Sequence, residues 1–298
     1  MHPDAIFSIF GLEVYLYGLM IAVGILCCFG ILFQFGRKRK IQDSFIDFVF
    51  YNAIVAIALG FGSAALFQAT YDYIENPSAG FNFDGGITFI GGLIGGVVSF
   101  LLGYAIFRKK YKARLVDIIP IVPCCITIAH AFGRVGCFFA GCCYGKQTDS
   151  FLGVHFPNVP GKVHPTQLYE AIFLFAIFAI CYLLYWKKHF KHTMSLYLVC
   201  YGIFRFSLEY LRGDHRGELV DGISPSQFWS ILMVVIGVGV YFLLDWLFQK
   251  RAVEQAAMAA LEAAEETEMP ETVEETPAEE VLPQVETQEE VNTEEGEE

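Results

Sequence analysis

Seven long apolar runs set the strongest constraint on what this chain can fold into. Each run is long enough to cross the apolar layer of a bilayer, about 30 Å thick, as a single helix. The runs lie near residues 14–36, 45–70, 87–107, 115–133, 168–186, 194–212 and 226–248. With 55% hydrophobic residues, the chain also has the composition of a membrane protein. The sequence therefore predicts an all-α, polytopic membrane fold with seven transmembrane helices.

Basic residues follow the odd-numbered runs and predict the orientation of the chain. Clusters of lysine and arginine occupy residues 37–40, 108–114, 187–191 and 250–251. The loop between the second and third runs is instead acidic, with Asp72, Glu75 and Asp84. Because basic loops stay on the cytoplasmic side, we expect the N-terminus outside and the C-terminus in the cytoplasm.

The formal net charge of −12 has its origin in the C-terminal segment. Residues 252–298 are rich in glutamate and contain no lysine or arginine, whereas residues 1–251 are mildly basic. The first part of the segment consists of good helix formers that could extend the last helix, but beyond Met269 the composition cannot bury enough apolar surface to fold. We expect a transmembrane domain over 1–251 and an acidic, disordered cytoplasmic tail over 252–298.

Charged side chains interrupt the sixth run. Arg205 and Glu209 are four residues apart and share one helical face, and Arg212 extends the same stripe. A charge inside a bilayer is costly and persists only where it is paired or functional. Together with Arg134, just after the fourth run, these residues indicate a protein that handles an anionic lipid headgroup.

Two glycine-rich stretches each allow two interpretations. Residues 85–96 can pack against another helix through Gly92 and Gly96 or can wrap a headgroup, and packing is favoured when the stretch is taken alone. Residues 130–146 place four glycines around Arg134, so they can expose backbone N–H groups beside a guanidinium and cradle a phosphate. The alternative is a re-entrant segment that only closes the bundle.

Five motifs occur in order and together resemble one family over residues 10–248. They are residues 17–20 (YGLM), 84–95 (DGG, then GGLIG), 133–145 (GRVG to YG), 164–170 (HPTQLYE) and 201–212 (YGIFRFSLEYLR). With them the chain resembles the phosphatidylglycerol–prolipoprotein diacylglyceryl transferases. The resemblance implies transfer of a diacylglyceryl group from phosphatidylglycerol to the lipobox cysteine of a prolipoprotein signal peptide, releasing glycerol 1-phosphate. It also implies a multi-pass protein of the bacterial cytoplasmic (inner) membrane, in contact with the lipid bilayer, with no cofactor and no nucleic acid.

The resemblance assigns roles to residues by position. Arg134 and Arg205 are implied to act on the phosphate, because preorganised arginines can stabilise an anionic leaving group. The acceptor thiol must lose its proton to become a nucleophile, and His130, one helical turn before Arg134, and His164 are the candidate bases. The implied substrate-binding residues are Tyr17, Gly91, Gly92, Arg134, Glu209 and Arg212.

The chain departs from the family at several polar positions. Ile90 stands where a histidine usually precedes the Gly-Gly-Leu run, and Cys137, Ala140 and Cys142 stand where the family has Asn, Asn and Glu. These departures keep a second hypothesis open, in which a related lipid-handling enzyme has a changed donor or acceptor. A third hypothesis is a non-enzymatic lipid transporter, and the lack of an internal repeat argues against it.

Three of the nine cysteines cluster beyond the fourth run, at Cys137, Cys142 and Cys143. Their C-x4-C-C spacing is not a familiar zinc spacing. We therefore expect no metal and interpret the three as small side chains in a tight, glycine-rich turn. A metal site that includes His130 or His164 is one alternative, and a disulfide in an oxidising outer compartment is another.

Overall fold

The computed structural model describes residues 7–9, 12–83, 86, 88–157, 159–213 and 223–268. These residues form α-helices and two short antiparallel hairpins. The helices are α1 (Leu16–Lys38), α2 (Asp43–Glu75), α3 (Phe89–Phe107), α4 (Leu115–Ile118), α5 (Val122–Ala140), α6 (Thr166–Lys188), α7 (Thr193–Glu209) and α8 (Pro225–Glu268). Strand β1 (Phe7–Ile9) pairs with β2 (Leu12–Val14), and β3 (Val154–His155) pairs with β4 (Lys162–Val163).

Six of the described helices are long and apolar enough to cross a membrane: α1, α2, α3, α5, α6 and α8. The all-α, multi-pass membrane fold expected from the apolar runs is therefore confirmed at this level. Helix α7 has 17 residues and is one turn or more shorter than most of the other long helices. It corresponds to the interrupted sixth run.

The fourth predicted run, residues 115–133, is misplaced along the chain. It splits into the single turn of α4 and the start of α5, and α5 then continues to Ala140. Pro120 lies in the break, where its missing N–H and ring prevent a continuous helix, and Pro123 lies in the first turn of α5, where proline is tolerated. As a result Arg134 and Cys137 lie inside a helix and not in a loop.

The core of the bundle lies where α1, α5, α6 and α7 meet. Phe35, Cys124, Ala131 and Leu174 are fully excluded from solvent there. Helix α1 approaches α5 closely because Gly24 faces the Ala129 backbone, where an added Cβ would lie 3.0 Å from the carbonyl oxygen. Small residues at such positions let membrane helices approach to backbone contact.

Helices α2 and α3 pack against each other through glycines. An added Cβ at Gly60 would lie 3.1 Å from the Gly92 carbonyl oxygen, and one at Gly92 would lie 3.3 Å from Ala64 Cβ. The Ser63 hydroxyl donates a 2.9 Å hydrogen bond to the Gly91 carbonyl. Of the two interpretations of this stretch, helix packing therefore describes its local contacts, and a substrate-binding role for Gly91 and Gly92 stays a prediction.

The predicted basic clusters meet at one end of the bundle. Beyond α1, Arg39 hydrogen-bonds the Tyr185 carbonyl near the end of α6, and Gln42 Oε1 accepts the Lys112 N–H at 3.0 Å. Arg251 Nη2 donates to the Lys112 carbonyl at 2.6 Å. The segment after α1 thus bonds both the end of α6 and the segment after α3. The segment after α3 in turn bonds Arg251 of α8.

The chain divides into two compact units, Met1–Arg251 and Ala252–Glu298. In the second unit the described residues continue α8 as far as Glu268, which agrees with the helix-forming composition of this stretch. The segment beyond Met269, for which the composition predicts disorder, lies outside the described residues, as do Asp84, Gly85 and residues 214–222.

Candidate functional site

Glu170 is the centre of a polar cluster inside the first unit. It lies in the first turns of α6 and is only 1% exposed. From α7, the Tyr201 hydroxyl donates a 2.7 Å hydrogen bond to Glu170 Oε1. A carboxylate buried this deeply is stable only when donors or positive charge surround it, and two residues of α5 complete that environment.

Arg134 and His130 reach Glu170 from α5, on which they lie one helical turn apart. Arg134 Nε is 3.1 Å from Glu170 Oε2, and His130 Nε2 is 3.5 Å from Oε1. The His130 ring also meets the Tyr201 ring edge-on, with centroids 5.5 Å apart. Within the described part of the chain, Arg134 Nε has no hydrogen-bond partner, so its contact with Glu170 is an ion pair without hydrogen-bond geometry. Arg134 is therefore held by charge, and its planar guanidinium can still donate to a ligand.

Arg205 and Glu209 form a second ion pair on α7. Arg205 Nη1 donates to Glu209 Oε2 at 2.8 Å, and both side chains are largely buried. Ser224 Oγ, just before α8, donates to the other carboxylate oxygen at 3.0 Å. Arg205 lies one helical turn after Tyr201 on α7, and the Tyr201 ring contacts His130, so the two ion pairs belong to one polar region that spans α5, α6 and α7.

Arg212 does not continue the helical stripe that the sequence predicts. Helix α7 ends at Glu209, and Arg212 instead forms an isolated backbone bridge with Gly145. Lys146 N donates to the Leu211 carbonyl at 2.8 Å. The side chain of Arg212 is nonetheless buried, at 7% exposure. The segment after α7 is therefore joined by backbone hydrogen bonds to the segment after α5. This pairing places Arg212 at the end of α5 that carries Arg134.

The chain reverses direction directly after α5, so that Cys142 and Cys143 lie next to Cys137 in the last turn of the helix. Gly141 ends α5 in the left-handed conformation, at φ 70°, which glycine adopts without steric cost. The sulfur atoms of Cys137, Cys142 and Cys143 then lie within 4.8 Å of one another. The pKa of Cys143 is lowered because the Cys137 and Cys142 thiols hydrogen-bond its sulfur, with a further contribution from nearby Arg134.

Of the stretch 130–146, for which a glycine-rich phosphate cradle is predicted, the part up to Ala140 is helical, and a cradle in the remainder stays a prediction. Gly133 and Gly136 lie inside the regular helix α5, where their N–H groups are used by the helix. Gly136 is a packing position, because an added Cβ would lie 3.0 Å from the Tyr17 ring on α1. Only Gly141, of the three, has a positive φ. Positive charge here is supplied by arginine side chains on helices.

The remaining sequence-predicted residues lie around this region with different contacts. His164 Nδ1 is 3.2 Å from the Tyr169 hydroxyl, and the His164 carbonyl accepts the Gly145 N–H at 2.8 Å. Tyr17 is 44% exposed and packs against Gly136. Ile90, at the position of the missing histidine, is an exposed apolar residue of α3. Of the two candidate bases, His130 is the one that contacts the buried carboxylate.

Sequence reasoning missed Glu170 and Tyr201 as members of the site. In the sequence both appear only within motifs, Glu170 in residues 164–170 and Tyr201 in residues 201–212. The signal that could have found Glu170 is the one that found Arg205: an acidic residue inside an apolar run must have a partner. Which arginine is that partner depends on helix packing, which the spacing within one helix does not reveal.

Comparisons with known proteins agree with the motifs. A family model described as prolipoprotein diacylglyceryl transferase matches residues 4–243. A phosphatidylglycerol–prolipoprotein diacylglyceryl transferase of Clostridium tetani is 38% identical over 246 residues, covering 79% of this chain and 95% of the relative. A second, of Clostridium perfringens, is 36% identical, with 78% and 92% covered. A third, of Campylobacter curvus, is 34% identical, with 82% and 94% covered.

Proposed function

This chain belongs to the prolipoprotein diacylglyceryl transferase family, and from that premise we propose that it carries out the first step of lipoprotein maturation. In this reaction the diacylglyceryl group of phosphatidylglycerol passes to the lipobox cysteine of a prolipoprotein, and glycerol 1-phosphate is released. The relatives' names support the reaction. The observation that carries it in this chain is Arg134, a guanidinium held inside the helical bundle by the charge of buried Glu170, whose Oε2 lies 3.1 Å from its Nε.

The arginines are suited to the phosphate of the lipid donor. Attack by the acceptor thiolate forms a C–S bond at the glyceryl carbon and breaks its C–O bond to phosphate, so negative charge develops on the leaving group. Arg134 can present its planar fork to phosphate oxygens, and Arg205 can approach from α7. In a site that excludes water, such fixed charges stabilise the developing anion strongly.

His130 is the better placed of the two candidate bases. Its ring lies 3.5 Å from Glu170, and a carboxylate in that position can orient the imidazole and stabilise the imidazolium that forms when it takes the thiol proton. A His130→Ala variant that keeps full transferase activity would exclude this role. In that case His164 is the next candidate, because its Tyr169 contact places it at the same end of α6.

We propose that α7 is the seventh crossing, with the N-terminus outside and the C-terminus in the cytoplasm of a bacterium, so that the acidic tail is cytoplasmic. The basic segments at one end of the bundle support this orientation. The seventh crossing is supported by the ends of α7. It starts close to the end of α6, and beyond its own end Arg212 pairs with Gly145, whose N–H bonds residue 164 before α6.

A reconstituted transfer assay tests the proposed function. The full-length protein in liposomes is given radiolabelled phosphatidylglycerol and a lipobox peptide, and label on the peptide is measured. We expect transfer by the wild type, and its loss in Arg134→Ala and Arg205→Ala. A matched peptide with serine in place of the cysteine controls for attachment through the thiol. Lipid binding without any transfer would contradict the proposal and favour a transporter.

A further inference from the structure

The three cysteines beside the site converge in space in a way that their spacing did not indicate. Cys137 lies in the last turn of α5, and Cys142 and Cys143 follow the Gly141 reversal. All three sulfur atoms lie within 4.8 Å of one another. A zinc ion bound by thiolates at about 2.3 Å holds its sulfurs roughly 4 Å apart. The three sulfur atoms would therefore have to move only slightly closer together to bind one zinc ion.

The backbone that carries the two loop cysteines is held in place from outside. The Thr166 hydroxyl donates to the Cys143 carbonyl at 2.8 Å, and the Gln167 side chain donates to the Cys142 carbonyl. Both donors are 1% exposed. Cys143 itself adopts a φ of 64°, which is unfavourable for a residue other than glycine, and such strain persists where the surroundings impose it. The loop is thus fixed with its thiols facing Cys137.

The surroundings suit an anionic thiolate complex. Three thiolates and one divalent cation carry a net charge of −1, and both Arg134 and Arg212 lie within electrostatic reach of Cys143. Cys142 and Cys143 also line a cavity of about 780 Å³, together with Lys146 and Gly213. A fourth ligand can therefore enter from the cavity, as in zinc sites that keep one position open.

We propose that Cys137, Cys142 and Cys143 together bind one thiophilic cation of the zinc class, with a fourth coordination position that faces the cavity. Soft thiolate ligands select Zn²⁺ and Cu⁺ over the harder Mg²⁺ and Ca²⁺. This site is distinct from the Glu170 cluster, and it does not depend on the proposed transfer reaction, because it is defined by metal binding alone. The sequence spacing predicts no metal here, and the proposal departs from that prediction because the fold brings the three sulfur atoms together.

Metal content and a cobalt spectrum test the site directly. The full-length protein is purified in detergent without chelators, its zinc is counted by mass spectrometry, and Co²⁺ is titrated into metal-free protein. We expect about one zinc per chain and, with Co²⁺, the intense sulfur-to-metal absorption and tetrahedral bands of thiolate coordination. The wild-type titration needs no variant and so is independent of any folding defect.

Single Cys→Ser variants assign the ligands. We expect Cys137→Ser, Cys142→Ser and Cys143→Ser each to weaken Co²⁺ binding at least about tenfold, because even the loss of a partner that only orients a ligand costs about 10–100-fold in metal affinity. Cys27→Ser and Cys200→Ser, at half-buried positions elsewhere in the bundle, serve as controls and should bind as the wild type does. Absence of metal and of the cobalt bands in the wild type would overturn the proposal. So would a disulfide among the three cysteines in the protein as isolated.

Discussion

Arg251 and Arg134 are both paired with carboxylates from other helices, and they are paired in different ways. At the basic end, Arg251 donates from Nε to Asp117 Oδ1 at 3.2 Å and from Nη2 to Oδ2 at 3.0 Å. Its Nη2 also bonds the Lys112 carbonyl. Arg134, by contrast, has its Nε at 3.1 Å from Glu170 Oε2, and among the described residues this nitrogen has no hydrogen-bond partner. The first arginine joins segments of the protein through hydrogen bonds, whereas the second is held by charge.

The two carboxylates differ in their burial and in the number of their partners. Asp117 is partly exposed, at 18% of its side chain, and it also accepts the Arg114 N–H as part of a helix cap. Glu170 is almost completely buried and collects Arg134, His130 and Tyr201. The comparison teaches that burial and the number of partners distinguish the two carboxylates, and we predict that Arg134 is the functional arginine of the two. Substitutions at matched positions of the two pairs test this difference.

The largest expected effect is that of Glu170→Gln. Removing the charge leaves Arg134 without its buried counter-ion, and breaking a buried ion pair costs about 3–5 kcal/mol of stability. The matched change Asp117→Asn, in a more exposed pair, should cost about 1 kcal/mol. Thermal unfolding of both variants in detergent measures the difference. Equal losses of stability would show that burial does not distinguish the two pairs.

The next largest expected effect is the loss of transfer activity in Arg134→Lys, compared with the matched variant Arg251→Lys. Arg134→Lys keeps the charge and loses the planar fork, so we expect kcat/KM for transfer to fall by about 10²–10³-fold, as for loss of a preorganised donor. Arg251→Lys should stay within a few-fold of the wild type. Both variants are assayed in the same liposomes after their folding is checked. A comparable fall in both would remove the functional distinction between the two arginines.

Tyr201→Phe should have an intermediate effect. It removes a single hydroxyl donor to a buried carboxylate, a hydrogen bond worth about 1.5–3 kcal/mol. Tyr197 is the matched control, because it is also buried and stacks on Tyr201 with ring centroids 5.7 Å apart, and we expect Tyr197→Phe to be milder. Chemical denaturation of the two variants gives the comparison, and a smaller loss in Tyr201→Phe would contradict the role of Glu170 as a shared acceptor.

The smallest effect concerns the glycines of α5. No described atom outside the helix lies within 4 Å of a Cβ added at Gly133, so Gly133→Ala should preserve activity and stabilise the helix by about 0.5–1 kcal/mol. Gly136→Ala, which crowds Tyr17, should destabilise it. Loss of transfer in a folded Gly133→Ala variant would revive a role for this glycine in phosphate binding.

The sequence predicted the membrane fold well because hydropathy depends on composition alone. The fourth run was misplaced because the hydropathy of the sequence falls at Gly133 and Arg134. The backbone hydrogen bonds of α5 nevertheless continue through these residues to Ala140. Arg205 is predicted as a site residue because a charge inside an apolar run is conspicuous, and Arg134 is predicted because it directly follows such a run and lies among glycines. Their partners were only half found: Glu209 lies on the same helix as Arg205, but Glu170 reaches Arg134 only through the packing of α5 on α6.

The shared use of Glu170 also has an evolutionary consequence. Because one carboxylate serves Arg134, His130 and Tyr201, a change at any of these four positions alters the environment of the others. Residues in one such network show strongly non-additive effects when they are substituted together. Drift at a single position is therefore constrained by its neighbours, and viable departures in this cluster should arise as combined replacements rather than one at a time.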